Sequence, residues 1–413
     1  MPFSSLGLSP ALLRAVSTKA YAAPTPIQTL AIPPVLQGRD VLGSAQTGSG
    51  KTLAFALPLL QQLEQSTLYS PRRVLALILV PTRELAAQVG DEIRNLATLL
   101  PQAMKVTTVF GGVSINPQMM GLRGGTDIMV ATPGRLLDLI DHNALTLSDV
   151  KTLVLDEADR LLDLGFAEEI ERILALLPAQ RQNLFFSATF PQSVQALANT
   201  LLHDPVRVDV LPNPQDAPDI QQRAIAVDPS RRTQLLRHLI QDNAWSRVLM
   251  FVATKHAAEI VADKLRKADI HAEPFHGVLS QGKRNQVLMD FKASRVTVVI
   301  ATDLAARGID IAQLPVVVNY DLPRSAVDYT HRIGRTGRAG ESGLAVNFVS
   351  ADTEAHFHLI EKRHGLALPL EHVPGFEPTE TEVPPAPGNG GIKGKRPSKK
   401  DKLRAAAARI TAQ

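Results

Sequence analysis

Short apolar runs, each ending in a small polar or charged residue, recur along this chain and restrict its fold more than any other feature. In the first half they are Asp40–Gly43 before Ser44, Val74–Val80 before Pro81-Thr82, Ile128–Ala131 before Thr132, Leu153–Leu155 before Asp156, and Leu184–Phe186 before Ser187. Runs of this kind read as strands buried on both faces, as in a parallel sheet. Amphipathic stretches such as Glu84–Leu100 and Phe166–Leu176 lie between them and read as helices. Strand alternating with helix predicts a doubly wound parallel sheet, whose ligands bind beyond the carboxyl ends of the strands. The polar residues stand at those ends.

The pattern stops at Leu211–Pro218, polar and proline-rich, which reads as a linker. It restarts with Val248–Val252 before Ala253-Thr254, Val296–Ile300 before Ala301-Thr302-Asp303, Val316–Val318 before Asn319, and a last run at Leu344–Val349. The expected organisation is a first α/β domain over 1–210, a linker over 211–218, a second over 219–373 and a tail over 374–413. A chain of 413 residues, 45% hydrophobic, suits two cores, and 4% aromatics makes them aliphatic. From Pro374 the composition turns to Pro, Gly, Thr and Glu and then to Lys and Arg. That predicts disorder apart from a short helix at Lys402–Arg409.

Cysteine is absent, which excludes disulfides, thiol nucleophiles and cysteine-ligated metals. The start of the chain lacks a basic-then-apolar leader and no segment approaches a membrane span, so a soluble cytoplasmic protein is expected. The tail holds eight basic residues against four acidic ones and carries the whole formal +4 of the chain. Nucleic-acid contact by the body must therefore come from locally arranged groups, not a global field.

Ala45-Gln46-Thr47-Gly48-Ser49-Gly50-Lys51-Thr52 follows a strand and opens a helix, matching a P-loop except that Ala45 stands at the first glycine. In such a loop backbone N–H groups cradle phosphate, Lys51 reaches the β and γ phosphates, and the Thr52 hydroxyl takes a place on Mg²⁺. Asp156-Glu157-Ala158-Asp159 follows the next-to-last run of the first half. Alone it also suits a helix N-terminus. Beside a P-loop, Asp156 becomes a Mg²⁺ ligand, reached through water, and Glu157 the base that orients the attacking water. The second half has no P-loop but carries His331-Arg332-Ile333-Gly334-Arg335-Thr336-Gly337-Arg338. Three permanently charged, planar donors on a glycine-bearing turn suit arginine fingers aimed at a nucleotide held by the first domain. The plain alternative is a solvated basic loop.

In order, these motifs join Pro24-Thr25-Pro26-Ile27-Gln28 with Phe3 upstream, Pro81-Thr82-Arg83-Glu84-Leu85, Gly111-Gly112, Thr132-Pro133-Gly134-Arg135 and Ser187-Ala188-Thr189. The second half adds Phe251-Val252-Ala253-Thr254, Gln281 with Arg284, Thr302-Asp303 and Ala306-Arg307-Gly308-Ile309-Asp310. The ordered set resembles the DEAD-box RNA helicase family over nearly the whole chain before the tail, and Phe110–Arg135 resembles its bacterial RhlE-type subgroup. The resemblance implies two RecA-like domains in tandem and an RNA-dependent ATPase that locally separates short duplexes, with ATP and Mg²⁺ as cofactors. It implies that Gln28 reads the adenine edge, Tyr21 stacks on the base, Asp310 binds ribose hydroxyls, and Arg335 and Arg338 bind the γ-phosphate. Ala20, before Tyr21, departs from the glycine common in the family. Ser187 and Thr189 would couple hydrolysis to unwinding by hydrogen bonds to the acids of Asp156–Asp159.

Thr82, Arg83, Gly112, Thr132, Arg135, Thr254, Gln281 and Thr302 resemble RNA-facing positions that grip sugar–phosphate, which predicts weak sequence preference. Expected partners are RNA and RNA-processing or ribosome-related proteins, with no membrane and a monomeric chain. Two further readings share every motif: an ATP-gated RNA clamp that holds RNA for other proteins, and a DNA translocase. Strand displacement on a short duplex separates the first from a helicase, and competition between RNA and DNA the second.

Overall fold

The computed structural model describes residues 1–45, 48–66, 69–210, 219–306, 314–337 and 342–379. Two seven-stranded sheets organise them, and every strand pairing is parallel. The first holds β1 (Val41–Ser44), β2 (Ala76–Leu79), β3 (Val106–Val109), β4 (Ile128–Ala131), β5 (Thr152–Leu155), β6 (Gln182–Ser187) and β7 (Val206–Asp209). Their order across the sheet is β3-β4-β2-β5-β6-β1-β7. The second holds β8 (Ile220–Ala226), β9 (Val248–Phe251), β10 (Ala272–Phe275), β11 (Val298–Ala301), β12 (Val316–Asn319), β13 (Gly343–Val349) and β14 (Leu370–Glu371), ordered β10-β11-β9-β12-β13-β8-β14. Counting strands from each domain's start, the two orders are the same.

Alternation along each strand explains the apolar runs. Val41, Ile78, Val130, Val154 and Phe186 enter one core, while Leu42, Leu77, Met129, Leu155 and Phe185 enter another on the opposite face. The second sheet does the same with Val248, Met250 and Ile300 on one side and Leu249, Phe251 and Val299 on the other. A strand covered by helices on both faces has no solvent side, so both of its residue sets are aliphatic. Connections that return each strand in parallel put all carboxyl ends at one rim, and the polar residues gather there.

Three boundaries differ from expectation. Edge strands β3, β7, β10 and β14, with β8 beside one of them, were not visible as apolar runs. The first helix of the Pro81–Leu85 region spans Arg83–Ala97 rather than starting at Glu84. The second domain continues past 373: Phe376 stacks on His238 with ring centroids 5.4 Å apart and lies under the Arg231 guanidinium at 5.1 Å. Thr379 donates from its N–H and from its hydroxyl, the latter at 2.8 Å, to the buried Asp228 carboxylate. The segment expected to be disordered from Pro374 is therefore packed through Thr379. Linker 211–218 and the rest of the tail lie outside the described residues.

A chain ending at Thr379 should unfold like the full chain. One ending at Val373 loses the Phe376 contacts and the bonds to Asp228, and should lose about 1–3 kcal/mol of second-domain stability. Urea melts of the two truncations compare them directly; equal midpoints would show the strap to be ornamental.

Candidate nucleotide site and nucleic-acid groove

The carboxyl ends of β1, β5 and β6 assemble the first cluster. The turn after β1 carries Gly48 and Gly50 at φ 82° and 92°, a left-handed region open to glycine, and the helix Lys51–Glu64 starts at its end. A Cβ on Gly50 would lie 2.4 Å from Gln28 Nε2, so the turn closes tightly on the preceding helix. Lys51 is buried and its ammonium donates to the Ala45 carbonyl at 3.0 Å. Ser49 Oγ is buried without a hydrogen-bond partner among the described residues. A glycine cradle, a helix N-terminus, an ammonium and an unpartnered hydroxyl form a donor set that fits phosphate. Thr52 follows Lys51 on the first helical turn, while Gln46 and Thr47 lie outside the described residues.

Gln28 is tied at both ends of its amide. Its Oε1 accepts from Thr25 N–H at 3.0 Å and its Nε2 donates to Gly50 O at 3.0 Å. It caps the helix Pro26–Leu36 and braces the glycine turn at once, while one amide hydrogen and one oxygen lone pair remain for a ligand. Tyr21 donates to Glu92 at 2.6 Å, and burial with that bond raises its phenol well above the ordinary range.

Three carboxyls lie within four residues after β5, and Asp156, Glu157 and Asp159 are all buried. Burial pushes Asp156 up to about 6, with the Lys51 charge opposing and Glu157 reinforcing the shift. The Lys51 charge thus acts directly on the Asp156 carboxyl. Glu157 sits at φ 51°, a left-handed conformation that costs a non-glycine residue about 1–3 kcal/mol and gathers at functional sites. Its Oε2 lies 3.6 Å from Arg160 Nε. Of the expected coupling pair, Thr189 meets the carboxylate of Asp159 and Ser187 its backbone N–H. Thr189 donates to Asp159 Oδ2 from its N–H at 3.0 Å and its hydroxyl at 2.8 Å, and Asp159 N–H donates to Ser187 Oγ at 3.2 Å.

The second domain sets its arginines on a buried polar network. Arg332 donates to both oxygens of Asp303 at 2.6 and 2.8 Å, to Asn319 Oδ1 at 2.9 Å and to Asp321 O at 2.7 Å. Asn319 in turn donates to Asn347 on the neighbouring strand β13 at 2.8 Å. Most of the Arg332 fork is therefore spent inside its own domain, and it positions the helix Ala326–Ile333 rather than reaching outward. Arg335 follows that helix and lines a cleft with Arg160, Phe251, Asp303, Asp328 and His331. Residues of both domains meet there. His331 is pushed down to about 4 by burial and by the Arg160 charge, so it is neutral near pH 7. Arg338 and Asp310 lie outside the described residues.

A second groove is lined by Pro81, Thr82, Gly112 and Thr132 from one domain and Gly277, Arg284 and Leu304 from the other. Thr82 and Thr254 cap helices, accepting from Leu85 N–H at 3.2 Å and Ala257 N–H at 3.1 Å, while Thr132 Oγ1 accepts from Gly111 N–H at 3.3 Å. The capping reading and the binding reading coexist: a hydroxyl that accepts from a helix still has its own proton to give to phosphate. Arg83 bridges Gly112 O at 3.3 Å and Gly277 O of the other domain at 3.4 Å. Gly112 has φ 76°, and a Cβ there would meet Arg83 Nη1 at 2.7 Å. Arg135 is buried, donates to Val113 O at 2.7 Å, and keeps Nη1 without a hydrogen-bond partner among the described residues. Gln281 opens the helix Gln281–Lys292 and bonds Asn285 at 3.0 Å, and Thr302 N–H donates to Phe275 O at 3.3 Å.

Sequence reasoning missed the ion pair across this groove. Glu84 and Arg284, both buried, meet at 2.9 Å, with Gln281 Nε2 3.5 Å from the same Glu84 oxygen. Both belong to quoted motifs, but nothing local in the sequence pairs residues 200 positions apart. Arg160, directly after Asp159, was missed for another reason: an (i,i+3) acid–arginine pair looks like an ordinary helix-surface pair until the fold buries it.

Glu84→Gln removes the charge that holds Arg284 only when the domains meet. RNA concentration for half-maximal stimulation of nucleotide hydrolysis should rise about tenfold, within the usual 1–3 kcal/mol of coupling between sites. Nucleotide affinity without RNA should stay put. A titration of activity against RNA decides it, and an unchanged midpoint would deny the pair a role in closure.

A DEAD/DEAH box helicase family model matches residues 25–197, and a helicase conserved C-terminal domain model matches 231–340. The chain is 39% identical over 360 residues to the DEAD-box ATP-dependent RNA helicase CshA of Geobacillus kaustophilus, covering 87% of this chain and 76% of that one. It is 38% identical over 376 residues to the ATP-dependent rRNA helicase RRP3 of Candida albicans, covering 91% and 69%. Dbp5 of S. cerevisiae bound to RNA and ADP BeF3 superposes with a TM-score of 0.76 at 30% identity, covering 90% of this chain and 95% of Dbp5. The expected RhlE-type subgroup finds no support in these matches, whose bacterial members are named CshA.

Proposed function

The chain belongs to the DEAD-box family of ATP-dependent RNA helicases, and from that premise we propose how its own residues divide the work. The reaction is RNA-dependent hydrolysis of ATP coupled to local unwinding of RNA. One observation carries the two-domain reading: Arg335 of the second domain lines a single cleft with Arg160, three residues after the base candidate of the first. One sheet holds the nucleotide and the other completes the site.

Gly48, Ser49, Gly50, Lys51 and Thr52, with Ala45, Gln46 and Thr47, would hold the phosphates. Gln28 would read adenine, which favours ATP over GTP, with Tyr21 on the base and Asp310 on the ribose. Thr52 and Asp156 would hold Mg²⁺, which supplies charge neutralisation for the transferred phosphoryl group. The Asp156 carboxyl suits that part, since burial beside Glu157 leaves it short of positive charge. Glu157 would take the proton of the attacking water as general base. Arg335 and Arg338 would stabilise negative charge on the γ-phosphate as the transition state forms.

Thr82, Arg83, Gly112, Thr132 and Arg135 would hold one stretch of RNA backbone, and Thr254, Gln281 and Thr302 the adjoining stretch. RNA spanning both sets favours the closed state. Asp159 would link the two events, because Ser187 at the end of β6 accepts from its backbone N–H and Thr189 just beyond donates twice to its carboxylate. Sugar–phosphate grip implies weak sequence preference. We take Mg²⁺, a monomeric cytoplasmic chain and ribosome-related partners as parts of the same proposal; the rRNA named for RRP3 agrees with the last.

Lys51→Ala and Glu157→Gln should fail differently. The first loses ATP binding; the second binds ATP and RNA but hydrolyses slowly, and so accumulates a long-lived ternary complex visible by gel shift. Wild-type binding and turnover in both would disprove the site.

Residues 1–210 alone contain the P-loop and both acids but no arginine finger. A finger typically contributes roughly 10³–10⁵ in rate, so this fragment should hydrolyse ATP negligibly with or without RNA. Arg335→Ala in the full chain should reproduce the defect while keeping much of the ATP affinity. Robust RNA-stimulated turnover by the fragment in a steady-state assay would rule out closure as the mechanism.

A further inference from the structure

We propose that Arg160 is a positioning residue for hydrolysis, holding the Glu157 carboxylate from within the first domain while the second domain closes over its far side. This rests on the reading of Glu157 as general base. An acid–arginine pair three residues apart on an exposed helix contributes little. Here both side chains are about nine-tenths buried, and the Arg160 Nε lies 3.6 Å from Glu157 Oε2, an oxygen with no hydrogen-bond partner among the described residues. A buried carboxylate beside two others needs a counter-charge. The Lys51 charge acts on Asp156, and Thr189 donates twice to the Asp159 carboxylate. Arg160 supplies the charge for the third.

The far side of Arg160 keeps it in that role. Its backbone N–H donates to Glu157 O at 2.9 Å and Asp159 Oδ1 at 3.1 Å, which anchors the side chain's base between the two acids. Across the cleft stand Phe251, Asp303, Ala306, Asp328, Arg332 and Arg335. Asp303 is already gripped through both oxygens by Arg332. The like charges of Arg332 and Arg335 oppose a swing of Arg160 toward the second domain, against the pull of the Asp328 carboxylate in the same cleft. Closure thus presses Arg160 onto Glu157 and fixes the carboxylate when Arg335 arrives.

The test uses the full chain. Arg160→Gln should lower kcat at saturating ATP and RNA by about tenfold, a fraction of the 10²–10⁴ a general base contributes. The KM for ATP and the RNA affinity with a non-hydrolysable ATP analogue should change less than about twofold, which also reports an intact fold. Arg160→Lys should recover part of the rate. In a Glu157→Gln background, adding Arg160→Gln should leave single-turnover hydrolysis within about twofold, since the group it positions is gone. A tenfold loss in both backgrounds overturns the proposal while leaving the base assignment intact. A wild-type rate for Glu157→Gln alone overturns the base assignment, and the proposal with it.

Discussion

Three carboxyls buried at the end of β5 are the constraint from which the rest of this molecule follows. Burying Asp156, Glu157 and Asp159 within four residues is costly unless each is answered by a charge or by hydrogen bonds. The answers come from three directions. Lys51 arrives from the turn after β1, Thr189 from just beyond the end of β6, and Arg160 from the helix the acids themselves begin. The parallel order β5-β6-β1 places these ends side by side. The chemistry thus depends on strand order, and the order on aliphatic residues facing both ways along each strand.

The second sheet repeats the strand order but solves a different problem. Among the described residues it has no phosphate cradle, and its carboxyl rim is organised by Arg332 instead. That side chain joins Asp303 after β11, Asn319 at the end of β12 and the Asp321 carbonyl beyond it. Asn347 extends the network into β13, where it also donates to the Tyr329 hydroxyl at 3.1 Å. A satisfied buried network of this kind is rigid, and rigidity is what an arginine finger needs. On the proposed reading, the same fold would serve once as a binding platform and once as a mount for arginines.

Much of this was legible in the sequence, for a physical reason. β1, β2, β4, β5, β6, β9, β11, β12 and β13 are apolar because both faces are covered, and their polar ends mark the rim. Val106–Val109, Val206–Asp209, Ala272–Phe275 and Leu370–Glu371 form the sheet edges, where exposure admits Thr, Arg, Asp, Glu and Pro and erases the signal. β8 reads Ile-Gln-Gln-Arg-Ala-Ile-Ala and hides its strand in the same way. Many of the candidate site residues were visible because they stand at strand ends; Gln28, Gln281 and Arg335 instead stood out through their motifs. Their partners were not visible: Glu84–Arg284 and the brace from Gln28 to Gly50 are products of tertiary approach, and Glu157–Arg160, only three residues apart, matters because the fold buries both side chains. The strap to Thr379 was hidden by composition, since one phenylalanine and one threonine in a proline- and glutamate-rich stretch do not announce a docking segment.

The RNA groove shows why capping and binding need not compete. Thr82, Thr132 and Thr254 each precede a helix at the carboxyl end of a strand, and two of them cap it by side chain. A capped helix start still directs its remaining first-turn N–H groups outward, with the partial positive charge of the helix behind them. A threonine there contributes a hydroxyl proton to the same face. Phosphate can then be held by hydroxyls, amides and a few arginines with no net positive surface, which reconciles an electrically balanced body with an RNA substrate. Such a grip depends on the spacing of helix starts in two separate sheets. On the proposed reading, the Glu84–Arg284 pair, which joins the two sheets at 2.9 Å, would set that spacing and so tie the groove to the proposed nucleotide site.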